Sequence, residues 1–584
     1  YFVVDGQEKV IVSHERKAEN KLYILESNEG LYSYSAQIKS VPDDSFKYAR
    51  TTTINVHKTD SRFLVKLPSI GKLIPLFVIF RVLGVESDKD ILKYILYNLD
   101  SEKSRIFFEI LESSIADSGP IYDQLVATEY LAKLTYGGTV NHLVDIISTD
   151  LFPHVGDSYK SKAYYLGYTV NKLLHVFTGL EKPTDRDSFI YKRVDLSGFL
   201  LAALFRESYR QFQRDAKIEI DAEYRYNSSD YQNEEFSNII NVSNLRKIFN
   251  PQVIDKSFQK AFKIGTILNK VGLIQALNRL SYIGAVSHLR RVNTPGKGRE
   301  IMMGQRKLHS TQYGIICPAE APDGGNVGIK KHLTIMAHIT FGCSSEPIIN
   351  YLKEYGIMCL DDILPEMVVN NTKIFVNGNW VGIIDDAFKL VTNLRLLRRN
   401  GLINSFISIS WDIRDMSVNI FTDGGRCCRP LYIVNNNKIG LNEDILAKIS
   451  SGKVQWAQLI GGFKKRKTDY NYYNCDYLCP AEENFDKRNL EEELKKNSSI
   501  VEYVDVEETS TNLLAMQFND LEDPLYKYSH CEIHPSLMMG AIGFTVPFAN
   551  HSQSVRNVYG CGQSKQSVGF YISNFQNRFD TSAH

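Results

Sequence analysis

RKLHSTQYGIICPAEAPDGGNVGIKKHL, residues 306–333, decides how the rest of the chain reads. Pro318 and Pro322 bracket Glu320, and glycines stand at 314, 324, 325 and 328. Proline fixes φ and glycine releases it, so the segment specifies a rigid turn that brings backbone close to something. Basic residues crowd both sides. From His288 to His332 there are eight, Arg290, Arg291, Lys297, Arg299, Arg306, Lys307, Lys330 and Lys331, against the three carboxylates Glu300, Glu320 and Asp323. The whole chain carries only +1, so this excess is local and positioned.

Working outward, 584 residues exceed what one core holds and predict several domains. With 43% hydrophobic and 23% charged residues, ordinary globular folding is expected. Near-neutral charge excludes a uniformly basic binding protein and leaves room for a neutral body with one basic channel. The nine scattered cysteines lack framework spacing, which predicts reduced thiols. Cys475 and Cys479 form a close pair, but no further ligands stand at zinc-motif spacing. The longest apolar run, Leu73 to Phe80, holds Pro75 and is too short for a membrane span. It reads as a buried core segment. The first residue is Tyr1 and the last His584, and the sequence reads as a fragment of a longer protein.

The pattern changes along the chain. Residues 1–13 read as strand around a turn at Gly6, with Glu15 and Arg16 as a charged exit; residues 32–68 alternate as strands. From Ile91 to about Phe177 the period is helical, with Tyr165, Leu166, Val170, Leu173 and Leu174 on one face. Thr184 and Asp185 are expected to cap a helix through Leu196 to Arg214. The charges from Asp185 to Asp195 read as a solvated, ion-paired surface, and residues 227–238 as a polar loop. Asn377-Gly378 is a hairpin signal, and a basic helix should stop at Gly401. Strands return over 416–440, with Arg426 and Arg429 around a turn, and Glu491 to Glu508 reads as a solvated acidic face. No period of 20 to 50 residues repeats, which excludes a solenoid.

Three stretches carry chemistry: 306–333, its lead-in from Ser287, and the tail from His530. Paired Arg290 and Arg291 beside a Pro-Gly loop suit phosphate, because guanidinium binds it bidentately and glycine admits close backbone. The tail has no carboxylate from Val546 to Phe579, while Arg556, Lys565 and Arg578 stand among amides; acidic groups would repel phosphate. Surface clusters without a ligand remain the plain alternative for both. His530, Cys531 and His534 are spaced poorly for a metal. Nucleophile-elbow, phosphate-loop and His-Glu-x-x-His motifs are missing, as is an aspartate triplet for two magnesium ions. The chain reads as built to touch phosphates rather than to hold the metals of phosphoryl chemistry.

Arg306-x-Leu308-His309-x-Thr311-x-Tyr313-Gly314-x-x-Cys317-Pro318-x-Glu320-x-Pro322-x-Gly324 resembles the fork of the second-largest subunit of multisubunit DNA-dependent RNA polymerases. The same family is matched, in its own order, by Asp185-Arg-Asp-x-Phe-x-x-Lys-Arg193, Ser287-His-Leu-Arg-Arg-x-Asn-Thr-Pro295, Phe375-Val-Asn-Gly-x-Trp380, Phe421-Thr-Asp-x-Gly-Arg426, Cys531-Glu-Ile-His-Pro535 and His551-x-Gln553-Ser-x-Arg556-Asn557. Departures are Tyr313, Ala321 and Asp323, where the family commonly has Trp, Thr and Glu. Gly560-Cys-Gly-Gln-Ser564 departs from the cellular pattern and is similar to versions carried by large DNA viruses.

The resemblance implies an α+β multidomain fold. Residues 1–20 would end a first protrusion segment, 21–199 form a lobe, 200–277 a second protrusion segment and 278–345 the fork. Two external domains would cover 346–435 and 436–545, and a β-rich hybrid-binding domain would start over 546–584. The implied activity is DNA-directed RNA synthesis within a complex, the fragment alone being inactive. Arg556, Tyr559, Lys565 and Gln566 would lie near substrate and RNA. The nucleic-acid contacts would be Arg290, Arg291, Lys297, Arg299, Arg306, Lys307, Lys330 and Lys331. Magnesium would be held mainly by the partner largest subunit, and zinc only by a clamp portion beyond this chain. Implied partners are that subunit, smaller subunits, template DNA, the RNA–DNA hybrid and nucleoside triphosphates, with no membrane. The setting would be intracellular: the nucleus or, for a virus, host cytoplasm and virion. A non-catalytic binding or assembly module from a split gene is the second reading.

Overall fold

The computed structural model describes residues 1–27, 30–43, 48–226, 239–268, 270–295, 303–463 and 490–567. Lys297, Arg299, Cys475, Cys479 and the 227–238 stretch lie outside them.

The N-terminal third is a sheet under helices. Strands Leu22–Glu26, Tyr32–Ser40, Arg50–His57, Phe63–Lys66 and Ile74–Pro75 pair in order as an antiparallel meander. Pro75 sets the φ needed to start the Leu76–Val82 helix, every residue of which is buried. The apolar run is thus core, and Arg81 beyond it is also buried, donating to the Asp88 carboxylate at 2.5 Å. The Tyr159–Phe177 helix, capped by Ser158, buries the expected face and more: Tyr164 and Gly167 on other sides are covered too. No helix among the described residues is long and apolar enough to cross a membrane.

A four-stranded sheet joins distant parts of the chain. Its order is Lys330–His332, Arg291–Asn293, Ser13–Lys17, Lys192–Asp195. Glu15 lies at its centre, 2% exposed, with Lys192 at 2.6 Å, Lys331 at 3.0 Å and the Thr294 hydroxyl at 3.0 Å. Burial alone would push its carboxyl up; the two lysines outweigh that and hold it below the usual range. The expected charged exit is therefore a buried ionic junction.

The expected solvated, ion-paired surface over 185–195 holds at Asp185 and Arg186, which are exposed, and is corrected in its second half by the same sheet. Lys192 and Arg193 are buried, and Arg193 donates to Asp423 at 2.6 Å. Nor do Thr184 and Asp185 cap a helix. The Thr184 hydroxyl accepts from the Ile24 amide and Asp185 pairs with His309 at 2.7 Å, while the helix begins later, Ser197–Tyr226. Alternating charge in sequence marks paired charge here: the pairing is internal at Lys192 and Arg193 and lies at the surface at Asp185.

Strands Met358–Cys359, Asn379–Ile384, Thr372–Val376, Ser417–Phe421 and Ser408–Asp412 form a mixed sheet. The Ala387–Arg399 helix lies between its third and fourth strands in sequence, Asn379–Ile384 and Ser408–Asp412, and ends before Gly401 as expected. Arg426 stands at the turn into Cys427–Asn435, but Arg429 is inside that strand. The acidic stretch from Glu491 to Glu508 divides: Glu491 and Glu492 are exposed as expected, but its second half is not a solvated face. Glu502 and Glu508 are buried around Arg398, which donates to them at 2.8 Å and 2.6 Å, and His530 stands 3.0 Å from Glu502. A guanidinium brings up to five donors in a plane, so one arginine satisfies two buried carboxylates. Several separate sheets with helices between them make this an α+β multidomain chain, with no closed barrel among the described residues.

Candidate nucleic-acid and nucleotide interface

The 306–333 stretch folds as the rigid turn its prolines and glycines require. Arg306 donates to the carbonyls of Gly325 at 2.7 Å and Val327 at 2.9 Å, closing the glycine-rich loop on itself. Gly328 has φ +73°, and a Cβ there would overlap the Arg306 backbone. The close approach read from sequence is thus between two ends of the same turn.

The strand pair behind the turn sorts the basic residues by parity. Arg291 faces His332 and Asn293 faces Lys330 across the ladder, so these four share one side; Val292 and Lys331 share the other. Lys331 points into the Glu15 junction and its charge is neutralised there. Arg291 and Lys330 stay half-buried on the opposite side, close enough that burial and then Arg291 lower the Lys330 ammonium. Burial likewise pulls the Arg290 guanidinium below its usual value, and Arg290 donates to the Thr334 carbonyl at 2.6 Å. Lys307 is exposed. The basic set therefore divides: Arg306 and Lys331 hold the fold, while Arg290, Arg291, Lys307 and Lys330 keep charge at or near the surface.

On the same side as Arg291 and Lys330 sits the Ser554–Gln566 helix. It starts after Gln553 and is built two-faced. Asn557 and Cys561 are buried, Asn557 donating to the Ala549 carbonyl at 2.8 Å. Arg556, Tyr559, Gln563 and Gln566, at spacings of three and four, are exposed along another side. Three of the four substrate-side residues read from sequence thus share one helix face. Lys565 does not. Its ammonium turns inward to Glu320 at 3.0 Å, beside His332 at 3.4 Å.

Sequence reading missed Glu320. It is 2% exposed, accepts from the Ser287 hydroxyl at 2.5 Å, and lies 3.7 Å from His332 Nε2. Burial raises its carboxyl, but His332, Lys565 and the Ser287 hydrogen bond bring it below the usual range. A lone carboxylate between two prolines in a basic stretch was the available signal. Also unforeseen is a cleft of about 1220 Å³ between the turn and the tail, lined by Tyr313, Pro318, Phe518, Met539, Phe548 and Asn557.

Among the described residues no group of three or more His, Cys, Asp or Glu converges on a point where a metal would sit. His530 is used by Glu502, and His534 Nδ1 accepts from the Ser536 amide at 3.2 Å. These side chains do not assemble a donor set for a divalent cation.

Comparison with known proteins gives a consistent answer. Models of RNA polymerase Rpb2 match in order: domain 2 over residues 9–195, domain 3 over 275–339, domain 4 over 374–435 and domain 5 over 492–535. The chain is 34% identical over 605 residues to DNA-directed RNA polymerase II subunit RPB2 of Encephalitozoon cuniculi, with 100% of the chain and 48% of that protein covered. It is 33% identical over 615 residues to DNA-directed RNA polymerase II subunit 2 of Arabidopsis thaliana, again covering 100% and 48%. Against the archaeal DNA-directed RNA polymerase subunit Rpo2 of Saccharolobus solfataricus it is 28% identical over 602 residues, at 100% and 48%. The chain spans about half the length of the curated relatives it matches. With four domain models in sequence and relatives aligned over its whole length, the chain belongs to the family of second-largest subunits of DNA-directed RNA polymerase.

Proposed function

We propose that this chain forms part of one wall of an RNA polymerase active-centre cleft, contacting DNA, the RNA–DNA hybrid and the incoming nucleoside triphosphate. The reaction is template-directed addition of ribonucleoside monophosphates to an RNA 3′ end. It proceeds in complex with the largest subunit, which holds the magnesium ions, and with smaller subunits, inside the cell. The division at residues 20, 199, 277, 345, 435 and 545 goes with this reading, and Gly560 to Ser564 favours a viral enzyme.

One observation carries it: the Ser554–Gln566 helix presents Arg556, Tyr559, Gln563 and Gln566 along one exposed, carboxylate-free side, next to a basic strand pair. A guanidinium and amides without competing acid suit a polyphosphate and a nucleotide edge. Arg290, Arg291, Lys307 and Lys330 then serve as backbone-positioning contacts, which give affinity without reading sequence.

Arg556→Ala in the assembled enzyme tests the assignment. Loss of a charge-assisted hydrogen bond is worth roughly 1.5–3 kcal/mol, so single-nucleotide addition should slow by about 10- to 100-fold. DNA affinity, measured at fixed salt, should fall much less. Equal losses in the two assays would remove Arg556 from the substrate side.

A further inference from the structure

The exposed side of the Ser554–Gln566 helix can serve a substrate only if its rotation and height are fixed. A helix packed on apolar contacts alone tolerates small slides, and one residue of slide moves a side chain by about 1.5 Å and turns it by about 100°. Part of the seam under this helix is of that permissive kind: Cys561 packs with Cys317, Ala319 and Ile542. Directional contacts hold both ends: Asn557 donates to the Ala549 carbonyl at the first turn, and the contacts to the Ser281 and Glu320 side lie at the last turn. Ser281, the N-cap of the Tyr282–Leu289 helix, places its hydroxyl 3.3 Å from the Ser564 carbonyl, which also accepts from the Ser567 hydroxyl, and 3.4 Å from the Lys565 carbonyl at the helix end. Beside them Lys565 meets Glu320.

We propose that Glu320 is a positioning residue, which locks the Ser554–Gln566 helix to the proline–glycine turn through Lys565 and thereby sets where Arg556 and Tyr559 face. Glu320 is suited to this. It is buried, it stands on a turn held by two prolines, and the Ser287 hydroxyl fixes the same oxygen that receives Lys565. The imidazole of His332 completes the socket. Its Nδ1 is 3.0 Å from the Glu320 carbonyl oxygen, so it donates there and leaves Nε2 as an acceptor towards Lys565 and Arg291, each 3.4 Å away. Lys565 thus has acceptors on two sides, and any rotation of the helix would strand a buried carboxylate, which is costly. The lock ties the substrate-facing helix to the basic turn as one rigid unit.

The inference rests on the proposed substrate-side role of Arg556 for its consequence, but not for its geometry. Amide hydrogen exchange of the chain therefore comes first. Glu320→Gln and Lys565→Gln should each speed exchange across 557–566 by about tenfold or more, with the strands of the 22–75 sheet unchanged. Lys565→Arg, which keeps the charge, should restore most of the protection. Unchanged exchange in both Gln variants overturns the lock. If Glu320→Gln does not fold, Lys565→Gln removes the same pair from the helix side and leaves Ser287 and the turn intact. In the assembled enzyme, misplacement of about 1 Å costs as much as 100-fold, so Glu320→Gln should lower kcat for nucleotide addition by about 10- to 100-fold with a smaller change in KM. Faster exchange with unaltered nucleotide addition would leave the lock standing and overturn the substrate-side reading of the helix.

Discussion

At the scale of single residues, this chain keeps its most informative charges inside. His332 has Glu320 at 3.7 Å, Lys565 and Arg291 each at 3.4 Å, and its pKa is lowered to about 4. Burial is the main cause, with Lys565 and Arg291 adding and Glu320 opposing. A neutral imidazole is what the socket needs, since a protonated one would confront two cations. The sign follows. The unfolded chain takes up this proton near the ordinary value of 6.5 and the folded chain only near 4, so acid favours unfolding between those limits, by about 1.4 kcal/mol per pH unit. Glu320 works in the same direction, because its lowered carboxyl stabilises the fold above its unfolded pKa and loses that as pH falls. Urea midpoints taken at pH 7.5 and pH 5 should therefore separate less in His332→Gln than in the parent. An unchanged separation would mean that other groups carry the acid sensitivity.

At the scale of elements, the chain was legible where one period or one turn type decided the outcome. The two-residue loop between Thr372–Val376 and Asn379–Ile384 has Asn377 at φ 50° and Gly378 at φ 81°, the geometry that Asn-Gly encodes. The Tyr159–Phe177 helix was legible from its apolar spacing for the same reason. What could not be read was partnership. Gly378 abuts the backbone of Asn20, more than 350 residues away, and nothing local to the hairpin announces it. Glu502 and Glu508 looked solvent-facing because sequence shows their charge but not Arg398. The candidate helix was half-legible: its carboxylate-free composition pointed to phosphate, yet only the fold separates Arg556 from Lys565. Gly378→Ala tests the hairpin's long-range contact. A side chain at positive φ costs roughly 1–3 kcal/mol, and here its Cβ would also overlap the Asn20 carbonyl. The loss of stability should therefore exceed that of Gly452→Ala, whose φ is +70° but whose Cβ would meet nothing within 4 Å. Equal losses in urea titration would show that Asn20 gives way freely.

At the scale of the whole molecule, the candidate site depends on one joint. Lys192, Thr294 and Lys331 come to Glu15 from three different strands or their ends, and the strand pair carrying Arg291 and Lys330 hangs on the Ser13–Lys17 strand by parallel pairing at Val292 and Asn293. Glu320 sits on the turn between those two basic strands, so the joint, the turn and the helix form one mechanical path. Removing one member of a buried ion pair strands the others and costs about 3–5 kcal/mol, whereas exposed pairs contribute little. Glu15→Gln keeps the shape, loses the charge and leaves two ammonium groups facing each other. It should lower stability by that amount, and it should speed amide exchange together in Ser13–Lys17, Lys192–Asp195 and Lys330–His332. Lys39→Ala, at the exposed pair with Glu19, should do neither. If exchange rises only in Ser13–Lys17, the four strands open independently, and the basic face would owe its placement to local turns rather than to Glu15.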